Sequence, residues 1–271
     1  MTLISIIIPC YNHGAYIEEA LDSINLNKFY IFFEVIIIND GSTDIFTIEK
    51  LKLLKSKGWN VIDQPNMGLG AARNRGIEFA KGKYILPLDS DNKLIPETFI
   101  SALKIMDEDP TIDVIYTDAI YFGNKSGKWE VGNFEPVRLI YSNYIDACAL
   151  IRKDVFLNLG GYYQCKNMLM GHEDWALWLS LIFNKGKFYY FKKEGFYYRV
   201  LDNSMIRSNF KTKLENNRLY LFGKYSNLIN KFEKKVENDY HLNKKEFRKI
   251  KNYKRNLFLK SLFLKVKSIL K

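Results

Sequence analysis

Five carboxylates stand where a chain of this kind could do chemistry: Asp40, Asp89, Asp91, Glu173 and Asp174. Asp40 closes the apolar run Val35–Ile38 within Asn39-Asp40-Gly41-Ser42-Thr43-Asp44, and Asp89 and Asp91 follow the run Tyr84–Leu88 as Asp89-Ser90-Asp91-Asn92. Two carboxylates one residue apart in a loop can turn toward one hard cation. Mg²⁺ or Mn²⁺ held that way keeps positions open for phosphate oxygens. An isolated Asp-x-Asp is common in turns; this one gains weight from its place behind a buried strand and beside a second aspartate loop. Gly171-His172-Glu173-Asp174-Trp175 opens a helix. Acidic residues there complement the helix dipole, and one of them could also take a proton from an attacking hydroxyl. A zinc helix is excluded, because H-E-x-x-H needs a second histidine where the chain has Ala176.

The elements that must hold these groups alternate strand and helix through residue 110. Ile4–Ile8 is a β-branched run ending at Pro9-Cys10-Tyr11-Asn12. A helix follows, with Ile17, Ala20, Leu21 and Ile24 at i, i+3, i+4, i+7 spacing. Then come Val35–Ile38, a helix over 44–55, a strand at 59–62, a helix over 68–80 and the strand Tyr84–Leu88. Continuous apolar strands mark a parallel sheet covered on both faces, so the fold class is α/β and doubly wound. Right-handed crossovers bring the ends of such strands to one edge, and ligands bind in the crevice outside them. Asp40, Asp89 and Asp91 should therefore surround one crevice. No G-x-x-x-x-G-K-[ST] loop is present, and Gly68-Leu69-Gly70-Ala71-Ala72-Arg73 lacks the third glycine of a dinucleotide loop.

From 111 to 208 the pattern is mixed: strands at 114–122 and 147–151, a helix at 175–183, and short aromatic strands at 187–191 and 196–200. The reading is one domain over 1–208, with a nucleotide-binding half (1–110) and an acceptor half (111–208), followed by a basic helical extension over 209–271. Residues 211–271 hold 18 Lys and Arg against 5 Asp and Glu, whereas residues 1–210 hold 23 against 25; the tail carries the whole +11 excess. Three cysteines without a CxxC pair fit a reducing cytosol rather than a disulfide framework. The apolar start lacks a basic leader, and no run approaches the roughly 20 residues of a membrane span.

In order along residues 3–208, these motifs resemble glycosyltransferase family 2, inverting enzymes of GT-A fold: Ser5-Ile6-Ile7-Ile8-Pro9-Cys10-Tyr11-Asn12, Ile38-Asn39-Asp40-Gly41-Ser42-Thr43-Asp44, Gly68 to Gly76, Leu88-Asp89-Ser90-Asp91, Gly160-Gly161-Tyr162, Gly171-His172-Glu173-Asp174 and Tyr198-Arg199. The resemblance implies a Rossmann-like, mostly parallel sheet and transfer of a sugar from a nucleoside diphosphate, UDP above all, to an acceptor hydroxyl. It implies that Pro9, Tyr11, Asp40 and Arg73 hold the nucleotide base, that Asp89 meets the ribose, and that Asp91 binds a divalent metal, Mn²⁺ or Mg²⁺. Asp174 is implied as the base, Glu173 and Asp146 as contacts of donor or acceptor sugar, and Arg199 with Ser204 as diphosphate ligands. Some relatives place a histidine shortly after that arginine; this chain has Val200-Leu201-Asp202-Asn203.

By analogy with the family, the acceptor would be a bacterial polysaccharide or lipid-linked glycan. In the stretch 244–271, Phe258, Leu259, Leu262, Phe263, Val266, Ile269 and Leu270 fall on one helical arc, with Lys260, Lys265, Lys267 and Lys271 mostly outside it. That pattern suits an anchor on an anionic membrane surface, hence a cytoplasmic protein peripheral to the inner face. It equally suits a helix packed on protein. No nucleic-acid module accompanies the charge. Two rival functions are a nucleotidyltransferase, which needs a Gly-rich basic loop where this chain has Pro9 to Gly14, and a non-catalytic sugar-nucleotide-binding subunit, against which intact Asp91 and Asp174 argue.

Overall fold

The computed structural model describes residues 3–163, 171–201, 211–239 and 244–269, with side chains in the last two ranges at 216–239 and 244–256. The first half runs β1 (Ile4–Cys10), α1 (Ile17–Ile24), α2 (Leu26–Phe29), β2 (Phe33–Asp40), α3 (Ile45–Ser56), β3 (Asn60–Gln64), α4 (Leu69–Phe79) and β4 (Tyr84–Pro87). β1 is fully buried, and its parallel neighbours are β2 on one side and β4 on the other. β3 extends the parallel set beyond β2. Side chains alternate across this layer: Ile7, Ile36 and Ile38 join one core, and Ile4, Ile6, Ile8 and Ile37 the other. The expected helical face of α1 is buried at Ile17, Ala20, Leu21 and Ile24. α4 lies so close to the sheet that a Cβ on Gly76 would come 2.5 Å from Ile7 Cγ2. That contact explains a glycine inside a helix, where it otherwise costs about 1 kcal/mol.

The second half continues with β5 (Lys93–Leu94), α5 (Pro96–Glu108), β6 (Val114–Gly123), β7 (Gly127–Trp129), α6 (Pro136–Tyr141), β8 (Leu150–Arg152), α7 (Lys153–Asn158), α8 (Glu173–Phe183) and β9 (Phe188–Val200). The sheet order is β3-β2-β1-β4-β8-β6-β9-β5, with β7 paired to β6. β8 is antiparallel to β4 and to β6, while β9 runs parallel to β6. The sheet is thus parallel in the first half and mixed in the second. The two short aromatic strands expected at 187–191 and 196–200 are one strand of 13 residues. A register shift against Thr117, Asp118 and Ala119 absorbs the polar stretch between them.

Three helices follow: α9 (Lys211–Lys224), α10 (Ser226–Asn238) and α11 (Lys244–Ile269). They share the domain core. Leu221, Tyr225, Ile229, Val236 and Ile250 belong to the same buried cluster as Trp175 and Trp178. Phe247 and Tyr253 of α11 pack against that cluster as well, with Tyr253 stacked on Tyr141 of α6 at 5.3 Å. Tyr141 also bonds Glu233, which Lys254 pairs, and Lys249 pairs Glu135. Residues 244–256 therefore pack on protein. The apolar arc from Phe258 to Leu270 lies outside the described side chains. Among the described residues no helix is long and apolar enough to cross a membrane. Cys10 and Cys148 are buried free thiols, and Cys165 lies outside the described residues.

Candidate active site

The loops after β1 and β2 are stitched by one asparagine. Asn12, left-handed at φ 55°, accepts from the backbone N–H groups of Thr43 (2.8 Å) and Asp44 (3.0 Å). Its own N–H donates to Ser42 Oγ at 3.1 Å. Left-handed backbone is tolerated best by asparagine among residues with a side chain. Pro9 is buried in β1 beyond the last rung to β4, Ile7 opposite Pro87, where a missing N–H leaves no strand unbonded. Tyr11 beside it is 44% exposed.

Asp40 is buried at the end of β2 and its carboxylate is already occupied. It accepts from Gln64 Nε2 (2.7 Å), Met67 N (2.9 Å) and Gly68 N (2.9 Å). Those bonds fasten β2 to the end of β3 and to the chain entering α4. Asp40 thus shares the sheet edge with Asp89 and Asp91 but spends three hydrogen bonds on internal donors.

Arg73, 2% exposed, is the hub of the site. It projects from α4 and donates to Asp89 Oδ1 at 2.6 Å and to Glu173 Oε1, while the Tyr162 ring lies 5.4 Å from its guanidinium. The neighbouring Asn74 pairs twice with the Tyr162 backbone, accepting from its N–H and donating to its carbonyl, both at 2.9 Å. A Cβ on Gly161 would come 2.8 Å from Asn74 Oδ1, and a Cβ on Gly70 would come 3.3 Å from Glu173 Cβ. The run from Gly68 to Gly76 therefore joins the nucleotide half to the helix bearing Glu173 and Asp174.

Asp174 sits in the first turn of α8. Its Oδ2 accepts from Asn143 Nδ2 at 2.9 Å and its Oδ1 from Trp175 N at 2.7 Å. Trp175 and Trp178 anchor the helix by donating to the carbonyls of Leu139 (2.6 Å) and Ile145 (3.0 Å). Burial raises the carboxyls of both Glu173 and Asp174, opposed by the Arg73 cation. Asp146 accepts from Cys148 N at 2.8 Å. Its carboxyl is pushed up to about 7 by desolvation and the nearby Asp89 charge. Asp91 is lifted to about 6 by desolvation and then by Asp89, with His13 and Arg199 pulling it back. Asp89, Asp91, Asp146, Glu173 and Asp174 thus share one electrostatic neighbourhood.

Arg199 of β9 closes the other wall. Its backbone N–H donates to Asn92 Oδ1 (2.9 Å) and its Nε to the Asp91 carbonyl (2.8 Å). The guanidinium lies 4.3 Å from the Phe122 ring and 4.7 Å from Tyr16, with a loosely aligned ion pair to Glu19 at 3.0 Å. Ser204 lies outside the described residues. Sequence reasoning missed Asn92, Asn143 and Tyr198. The hydroxyl of Tyr198 is raised by desolvation and then by the charges of Asp146, Asp89 and Asp91. Its position next to Arg199 was the available signal.

Among the described residues no three His, Cys, Asp or Glu side chains form a ready-made metal cage. The donor set still suits Mg²⁺ or Mn²⁺. Asp91 offers hard oxygens beside another carboxylate, and such ions are commonly held by one or two carboxylates together with substrate phosphates. Desolvation, and then the Asp89 charge, lift Asp91, and a bound cation would offset both.

Comparison with known proteins adds four likenesses. A family model described as Glycosyl transferase family 2 matches residues 5–170. Chondroitin synthase of Pasteurella multocida (strain Pm70) is 42% identical over 117 residues, covering 42% of this chain and 12% of that protein. S. aureus TarS 1-349, solved in complex with UDP-GlcNAc, superposes with a TM-score of 0.61 at 21% identity, over 78% of this chain and 64% of that one. A mannosyltransferase from Pyrobaculum calidifontis, solved with GDP-Man and Mn²⁺, gives 0.54 at 17%, over 74% and 58%. At such identities the structures attest the fold alone. The chain spans only about an eighth of the chondroitin synthase.

Removing the hub cation should be costly. Arg73→Met leaves Glu173 buried without its partner and is expected to cost about 3–5 kcal/mol, read as a lower urea midpoint. Arg73→Met combined with Glu173→Gln should recover part of that loss. A midpoint equal to that of the unmodified protein would deny Arg73 this role.

Proposed function

Given that the chain belongs to glycosyl transferase family 2 and has the GT-A architecture, we propose that it transfers a sugar from a nucleoside diphosphate, a UDP-sugar, to an acceptor hydroxyl with inversion at the anomeric carbon. The observation that carries this reading is Asp174, a partly desolvated carboxyl fixed at a helix N-terminus by Asn143 and Trp175 N–H, sharing its surroundings with Asp89 across the Arg73 bridge.

In this reading Asp174 takes the proton of the acceptor hydroxyl as its oxygen attacks the anomeric carbon. The bond from that carbon to the diphosphate breaks, and its electron pair leaves with the diphosphate. A raised carboxyl is the stronger base, because the proton it accepts relieves a poorly solvated charge. The in-line geometry demands that acceptor and donor be held on opposite sides of the reacting carbon, a positioning task that can supply several kcal/mol. Tyr11 and Pro9 at the β1 end, with Asp40 behind them, form the base-binding wall; Asp89 receives the ribose and Arg199 the diphosphate. Asp146 and Glu173 border the sugar. A divalent cation at Asp91 would supply Lewis-acid charge to the departing diphosphate. The complex of S. aureus TarS with UDP-GlcNAc favours uracil as the base, and the chondroitin synthase likeness favours a polysaccharide acceptor. The basic end of α11 would hold the protein at the inner face of a membrane bearing such an acceptor.

Three measurements test this reading. Asp174→Asn should retain donor binding and lose about 10²-fold or more in turnover; undiminished turnover removes Asp174 from the reaction. Asp91→Ala should lose most of the affinity for UDP in the presence of Mn²⁺ by calorimetry, and unaltered binding refutes the metal assignment. The intact chain should float with liposomes containing anionic lipid while a chain ending at 256 does not, and equal flotation of both denies the terminal segment a membrane role.

A further inference from the structure

The turn that aims Glu173 and Asp174 into the site is also held from outside the nucleotide half. Gly171 and His172 are both left-handed, at φ 87° and 67°. Glycine adopts that backbone freely, whereas a histidine there carries a conformational cost that surrounding contacts must offset. The His172 carbonyl then accepts from Ala176 N at 2.9 Å, the first bond of α8.

What enforces the turn comes from α9. Asn217, 4% exposed, donates from Nδ2 to the Gly171 carbonyl at 3.1 Å. The same helix also holds Tyr163. Tyr220 shares a 2.8 Å hydroxyl contact with Tyr163, and the Lys224 ammonium sits 2.8 Å from that ring's centroid. α9 also clasps α8 itself. Phe222 lies edge-on to Trp175 at 5.8 Å, and Tyr225, at the junction of α9 and α10, bonds Ser180 Oγ at 2.6 Å and the Ala176 carbonyl at 3.3 Å.

We propose that Asn217 is a positioning residue for Asp174: its amide pins the double left-handed turn, so the C-terminal helices set the angle at which the base meets the acceptor. The inference rests on Asp174 being the general base. Loss of the amide donor lets the turn relax, and a small displacement of a catalytic group can cost up to on the order of 10²-fold.

The test uses the full chain with donor, acceptor and Mn²⁺. Asn217→Asp keeps the shape, removes the donor N–H and sets an acceptor against the Gly171 carbonyl. It should lower kcat by about tenfold or more with donor KM within about twofold, and with a thermal transition still present. In an Asp174→Asn background the same change should cost little further, because a positioning residue has nothing left to position. An unchanged kcat in Asn217→Asp overturns the proposal, as does an equal loss with or without Asp174. Should Asn217→Asp not fold, Phe222→Leu is judged by the same two comparisons. Absence of any metal-dependent transfer or donor hydrolysis by the unmodified protein would instead refute the transferase reading.

Discussion

A guanidinium taken out of water between two carboxylates organises this molecule. Arg73 is enclosed by α4, Tyr162, Asp89 and Glu173, and neither side of that arrangement is tolerable alone. An isolated buried charge is among the costliest features a protein can carry, whereas a paired and hydrogen-bonded one is permissible. The pair therefore works less as a source of net stability than as a demand for register. The loop after β4 and the start of α8 must arrive together, or three charges are left stranded. That demand spans 100 residues of sequence between Arg73 and Glu173.

The same cation sets the electrostatic tone of the site. Asp89, Asp91, Asp146, Glu173 and Asp174 crowd a region in which Arg73 donates to Asp89 and Glu173 and Arg199 is directed at a backbone carbonyl. Burial and mutual repulsion lift several of these carboxyls. Such a cluster is poised to receive positive charge, and the groups it lifts are those whose proton affinity a transfer reaction could use. Asp40 stands outside this balance. Its three hydrogen bonds to Gln64, Met67 and Gly68 make it a clamp between strands and helix at the same edge.

Much of this could be read from the chain before any coordinates. Unbroken β-branched runs with polar ends identify parallel strands because burial on both faces forbids polar interruptions, and β1, β2 and β4 follow that rule. The expectation that Asp40, Asp89 and Asp91 share one sheet edge follows from strand order and crossover handedness, whereas Asp174, at the start of α8, enters only through the family resemblance. Other features were illegible for definite reasons. Arg73 looks like any helix-surface cation until its partners are known, since a pairing across 100 residues has no local period. β9 was split in two because the polar Lys192-Lys193-Glu194 stretch coincides with an irregular register. The helices after 210 looked separate because their Lys and Asn content masks a sparse apolar stripe. Leu221, Tyr225 and Ile229 of that stripe are buried.

That stripe has a bearing on how the protein is made. A nascent chain leaves the ribosome N-terminus first, so the β1–β4 layer can close while the rest is still being synthesised. The faces of Trp175, Phe183 and Tyr141 that rest on Phe222 and Tyr225 must wait until those two residues are made. Until translation reaches them, an aromatic surface stands uncovered beside an otherwise finished sheet. The helices after residue 210 thus act as a late-arriving cover, and a chain cut before them leaves that aromatic surface exposed.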